Sequence, residues 1–237
     1  MHDVYETILQ AIVGEEVRSF PRDVGVVRDL ARSVGAAISR SYEARELEEL
    51  DMMSLFEERL AELGHPLPRS LVRRIVQLEH QALTSNLVMT DENLQVLRTL
   101  KSWGLRLGIV SNITFVPELL QADMDRLGIG EYIDVPVYSS AFGLRKPHPS
   151  IFLHVLQGLG VQPDEALFVG DRLNDDIAGA KAVGMRTALT REYRQEDPGY
   201  GGIVPEVVVE RLPDLLPYVK QRIGDTFSGK SASPIAE

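Results

Sequence analysis

The hydrophobic pattern changes character at Thr90, and that change limits the fold more than any other feature of the chain. Upstream, from Arg22 to about Leu83, apolar residues recur at helical spacing. They run through Val27, Leu30, Val34 and Ile38, then Met53, Phe56, Leu60 and Leu63, then Leu71, Ile75, Leu78 and Ala82. Three amphipathic helices of this kind bury their stripes in a small bundle, punctuated by Pro66 and Pro68 and left through the polar Thr84-Ser85-Asn86. Downstream, short apolar runs at 105–110, 133–138, 166–169, 185–189 and 207–209 alternate with helical patterns. Those helices are expected to carry Leu94, Leu97 and Leu100 up to Gly104, then to cover about 116–127, 150–159 and 175–183. The alternation predicts the α/β class with a doubly wound, mostly parallel sheet, in which ligands bind beyond the carboxyl ends of strands. The tail from about Thr226, rich in Ser with Gly and Pro, reads as disordered.

Composition narrows the function. With 237 residues, 44% of them apolar and 25% charged, the chain can bury a core and sits between one large domain and two small ones. No run approaches the roughly 18 apolar residues of a membrane span, and the start lacks a basic then apolar leader, so a cytoplasmic location with no membrane partner is expected. Zero cysteines exclude disulfides and thiolate metal sites, leaving oxygen ligands or some of five histidines; hard cations are favoured. His65, His80, His148 and His154 share no metal-ligand spacing and read as surface or structural residues. A formal charge of −10 argues against a nucleic-acid partner, whose phosphates call for Lys and Arg. The acidic run Glu46-Leu47-Glu48-Glu49-Leu50-Asp51 reads as the solvated face of a helix.

The segment Phe168-Val169-Gly170-Asp171-Arg172-Leu173-Asn174-Asp175-Asp176 is an apolar strand that empties into a Gly turn with three carboxylates. Carboxylates at a strand end suit Mg²⁺, which takes oxygen ligands and keeps several waters; an ordinary turn into a helix whose first turn accepts acidic residues explains the same pattern. Its neighbours add weight to the first reading. Gly108-Ile109-Val110-Ser111-Asn112, then Gly143-Leu144-Arg145-Lys146-Pro147-His148-Pro149, then the acidic turn continuing through Ala178-Gly179-Ala180-Lys181-Ala182-Val183-Gly184, resemble in order and spacing three successive motifs of the haloacid dehalogenase (HAD) superfamily.

The resemblance implies a Rossmann-like HAD core with an inserted all-α cap. Residues 1–12 and 86–225 would form the core, 13–85 the cap and 226–237 a tail. It implies that Ser111 and Asn112 bind a phosphoryl or carboxylate oxygen and that Lys146 neutralises charge growing in the transition state. Asp171 would hold Mg²⁺ with Asp176 as second ligand, Asp175 being the alternative. The bland readings are a strand-end cap for Ser111 and a solvated side chain for Lys146.

The amino terminus departs from the family. Its nucleophile follows a first strand, in a motif Asp-x-Asp-x-Thr; this chain has His2-Asp3-Val4-Tyr5-Glu6-Thr7, which resembles the variant Asp-x-Tyr-x-Thr. On that reading Asp3 is the nucleophile and a metal ligand, and Tyr5 replaces the family's acid and base, with Glu6 a lesser candidate for that role. The strand before Asp3 is cut to Met1-His2, so the sequence predicts a start upstream of Met1 by about ten residues. The alternative is that Val4, Ile8, Ala11 and Ile12 form an ordinary cap helix and the motif lies outside the chain. Three functions follow: first a Mg²⁺-dependent phosphatase acting on a small phosphorylated metabolite through an aspartyl-phosphate, second a metal-free 2-haloacid dehalogenase-like hydrolase, third a catalytically silent binding protein.

Overall fold

The computed structural model describes residues 4–14 and 20–227. They fall into two compact units, which are taken in turn. The first comprises Met1–Val88, Val110–Gly130 and Val137–Arg145; the second comprises Met89–Ile109, Glu131–Pro136 and Lys146–Glu237.

In the first unit α1 (Val4–Gly14), α2 (Val24–Glu43), α3 (Met52–Glu62) and α4 (Arg69–Thr84) pack on one another, as the spacing of their apolar residues predicts. Val27, Leu30, Met53, Phe56, Leu60, Leu71 and Ile75 are buried; Leu63 falls just past the end of α3 and is exposed. Asp23 and Asp51 begin α2 and α3 by accepting from the backbone N–H groups of Gly25 and Met53. Residues 1–12 are expected to belong to the core, behind a first strand cut to Met1-His2. The described part of that stretch is helical instead, because Ile8 and Ile12 lie four residues apart and both are fully buried against α2 and α4. α6 (Pro117–Arg126) also packs on α4. Its Arg126 donates to the carbonyls of Thr84, the last residue of α4, and of Leu87 just past it.

The second unit holds the parallel sheet β3 (Leu167–Gly170), β4 (Arg186–Thr190) and β5 (Val207–Val209), with β4 in the middle. Leu167 pairs with Arg186 and Ala188 with Val207. Successive residues of β4 serve opposite faces. Ala188 packs with Val96 and Leu100 of α5 (Asp91–Ser102) and with Leu215 and Val219 of α10 (Leu215–Phe227), whereas Leu189 packs with Leu173 and Ile177. Helical layers therefore cover both faces, as a doubly wound sheet requires. β1 (Gly108–Ser111) and β2 (Val135–Tyr138) form a separate two-stranded sheet, and the edge of β3 away from β4 pairs with no described strand. Among the described residues α8 (Pro149–Leu159) and α9 (Gly179–Ala182) complete the helices of this unit, and α7 (Ser139–Phe142) belongs to the first. Most of the tail from 226 onward lies outside the described residues, although Thr226 and Phe227 still belong to α10.

Candidate active site

The acidic turn begins where β3 ends at Gly170 and is organised around one buried carboxylate. Asp176 is 2% exposed. Its Oδ2 accepts the backbone N–H groups of Asp171 (3.1 Å) and Arg172 (3.0 Å), and its Oδ1 lies 2.7 Å from Lys146 Nζ. A side chain on residue 170 is impossible in this arrangement, since a Cβ there would lie 2.4 Å from Asp176. The chain then takes a wide helical turn over Leu173–Ala178, in which Asp176 and Ile177 both donate to the Arg172 carbonyl. Turns of this width are rare and recur at functional sites.

Lys146 is thereby a fixed charge rather than a solvated one. Its side chain is 13% exposed, and its ammonium sits 5.4 Å from the centre of the Phe168 ring on β3. The His148 imidazole two residues on accepts from Ser150 N–H and caps α8, a structural role. Buried His80 is also structural, stacked edge-on against Phe115 and 2.8 Å from Asp123.

The other two carboxylates of the turn are placed differently. Asp171 is about one-third exposed and lies 3.5 Å from Arg194, which comes from the loop after β4. Asp175 is pushed above its ordinary carboxylate value by burial; Arg172, 3.7 Å away, pulls it back, and Asp176 adds to the rise. Mg²⁺ needs only one or two protein carboxylates, the remainder of its shell being water or substrate. Asp171 and Asp175 fit that demand in donor type, and a divalent cation would relieve the burial of Asp175. Among the described residues no group of three His, Cys, Asp or Glu could hold a metal. Asp176, expected as the second ligand, has both oxygens engaged by Lys146 and the backbone.

Ser111 ends β1 in the first unit, and Asn112 follows it. The next residue, Ile113, donates its N–H to Ser139 Oγ at 2.7 Å. Tyr5 lies in the first turn of α1, with the Arg28 guanidinium 5.9 Å from its ring centre, and Glu6 follows it in the same helix. Asp3 lies outside the described residues.

Sequence reasoning missed four residues. Arg194 and Glu196 sit in the loop after β4, where no motif marks them, yet Glu196 accepts the N–H of Leu173 in the acidic turn at 2.6 Å. Glu49 and Arg145 form a buried pair. Of the solvated helix face expected over 46–51, Glu46, Leu47, Glu48 and Asp51 are exposed as expected, but the segment is not helical and the Glu49 side chain is buried. These residues lie between α2 and α3, Glu48 bridges antiparallel to Leu144, and the Glu49 side chain is 1% exposed because Arg145 neutralises it.

A model of the haloacid dehalogenase-like hydrolases matches residues 3–184. The chain belongs to that family. It is accordingly a hydrolase by descent, with a Rossmann-like HAD core and a helical cap. The glyceraldehyde 3-phosphate phosphatase of Methanopyrus kandleri is 32% identical over 172 residues, covering 72% of this chain and 73% of that protein. Phosphoglycolate phosphatase 1 of Pseudomonas aeruginosa is 34% identical over 157 residues, 65% of this chain and 57% of that protein. Among solved structures, a 2-haloacid dehalogenase from Pseudomonas syringae pv. Tomato DC3000 matches with a TM-score of 0.64 at 21% identity, covering 92% of this chain and 90% of that one. At that identity the likeness shows the fold alone. Among the described residues no helix is long and apolar enough to cross a membrane.

Proposed function

We propose that this protein is a Mg²⁺-dependent phosphatase that acts in the cytoplasm on a small phosphorylated metabolite through an aspartyl-phosphate. One observation carries the reading: Lys146, held 2.7 Å from Asp176, is fixed beside a turn on which Asp171 keeps a partly exposed carboxylate. A fixed cation next to oxygen donors for a hard metal suits a phosphoryl group, and the phosphatase names of the relatives point the same way. The Asp3 carboxylate attacks phosphorus and the ester P–O bond breaks. Water then cleaves the acyl phosphate, which frees Asp3 and releases phosphate. Ser111 and Asn112 donate to the phosphoryl oxygens, and Lys146 offsets the charge that grows on them. Mg²⁺, when bound, would neutralise phosphate charge; Asp171 would hold it, with Asp175 rather than Asp176 as the second donor of the turn. A phenol is a poorer proton donor than a carboxylic acid, so with Tyr5 in the place of the family's acid, esters with good leaving groups react fastest.

The helical state of Val4–Gly14 favours a second reading, in which the fold binds a phosphorylated small molecule without turning it over. A panel of aryl phosphates, phosphorylated metabolites and 2-haloacids, assayed with and without Mg²⁺, separates the cases. Metal-dependent phosphate release supports the phosphatase. Halide release without metal replaces it by a dehalogenase, and binding without turnover leaves the silent reading.

A further inference from the structure

We infer that Glu49 is a positioning residue for the phosphate-binding turn Ser111-Asn112-Ile113, acting through Ser139. The inference rests on the phosphatase reading for its catalytic consequence and on the first unit alone for its geometry. Ile113 directly follows the two residues assigned to the phosphoryl oxygens, and its N–H donates to Ser139 Oγ at 2.7 Å. The Ser139 hydroxyl in turn donates to Glu49 Oε2 at 2.5 Å, with the Ile113 carbonyl a more distant acceptor at 3.2 Å. Ser139 is fully buried. The orientation of its single O–H, and with it the lone pair offered to Ile113, is therefore set by the Glu49 carboxylate.

Glu49 is itself locked from several sides. Its backbone N–H donates to the Gly143 carbonyl at 2.9 Å, and its Oε1 accepts the N–H of Leu50. Arg145 lies 3.3 Å from the same oxygen, with side-chain exposures of 3% for Arg145 and 1% for Glu49. Arg145 spends Nη2 on Ser41 Oγ (2.8 Å) and on the Glu48 carbonyl (2.6 Å), and its guanidinium lies 4.2 Å from the centre of the Tyr42 ring. Its Nε and Nη1 are buried without a hydrogen-bond partner. The pair fixes where the Glu49 carboxylate stands, and the segment between α2 and α3 is thereby tied to the turn that follows β1.

The test uses the full chain and two variants. Ser139→Ala removes the relay with little change of shape. The double replacement Glu49→Leu with Arg145→Met removes both buried charges together, so neither is left uncompensated. Amide exchange at Ile113, binding of inorganic phosphate by calorimetry, and kcat and KM on an aryl phosphate are measured for each. Both variants should melt cooperatively, exchange at Ile113 about tenfold faster, and lose about tenfold in kcat with KM within about twofold of the parent. Phosphate binding should stay within about twofold of the parent, as KM does. A lowered melting temperature with kcat and KM unchanged overturns the inference, since a purely structural contact behaves that way. Unchanged exchange at Ile113 in the double variant overturns it too. A parent that neither hydrolyses the ester nor binds phosphate overturns the functional reading, and the inference is then decided by exchange at Ile113 alone.

Discussion

Two buried ion pairs start one peptide bond apart, Arg145–Glu49 in the first unit and Lys146–Asp176 in the second, and they are built differently. Lys146 meets Asp176 at 2.7 Å with 13% of its side chain exposed, and Asp176 has two further donors in the backbone of its own turn. Arg145 meets Glu49 at 3.3 Å with 3% exposed, and much of its guanidinium goes unpartnered. The Asp176 carboxylate would keep two N–H donors if its lysine were removed. Glu49 would keep Leu50 N–H and the Ser139 hydroxyl but no compensating charge. Removing one member of a sealed pair leaves a charge in a medium that cannot solvate it, whereas a pair backed by backbone donors tolerates the loss better. On the proposed function, the Lys146 arrangement keeps a cation available to a ligand and the Arg145 arrangement fixes a backbone.

This difference makes the two pairs separable. The largest expected effect is that Lys146→Met lowers kcat by about 10²–10³ while the protein still melts as a cooperative unit. Arg145→Met should do the reverse. It should cost about 3 kcal/mol of stability, read from denaturant unfolding, with a kcat loss near the tenfold expected for a displaced Glu49. Equal activity losses in the two variants would erase the contrast. Gly170→Ala should cost about 2–3 kcal/mol and activity together, because its Cβ meets Asp176 and pushes it from both the backbone and Lys146.

The smallest effect concerns pH and a carboxylate with no such partner. Burial pushes the Glu79 carboxyl above its ordinary value. The folded protein therefore holds this proton more tightly than the unfolded chain, and the stability that results is complete in acid and lost as pH rises through the raised value. Glu79→Gln should stabilise the protein by about 0.5 kcal/mol at neutral pH and make no difference below about pH 4. Thermal melts at the two pH values check it; stabilisation at both would contradict the burial account.

The parts of this molecule that announce themselves in sequence are those whose physics is local. Helical stripes in α2 to α4 are legible because burial repeats every three or four residues, and Gly170 with its following carboxylates is legible because a tight turn and a cation site both need those residue types. The amino terminus is not: Asp3-x-Tyr5-x-Thr7 matches a strand-end motif, while Ile8 and Ile12 match a helix, and tertiary packing on α2 and α4 decides in favour of the helix for the described residues. Glu49 is invisible for a different reason. Its burial depends on Arg145 and Ser139, about ninety residues away along the chain, and charge runs normally face water. Asp176 carries a related lesson, since spacing marks it as an acidic residue of the turn, but only coordinates reveal that its oxygens are spent on Lys146 and the backbone.

On the proposed function, this chain hydrolyses a phosphate ester by covalent catalysis at Asp3, with Lys146 as the fixed cation. Acid-quenched turnover of an aryl phosphate in the presence of Mg²⁺, followed by mass spectrometry of the tryptic peptide spanning residues 1–18, tests it most directly. A phosphoryl group is expected on Asp3, absent from Asp3→Asn and scarce in Lys146→Met. Phosphate release with no label on that peptide, or with a label on any other residue, would contradict it.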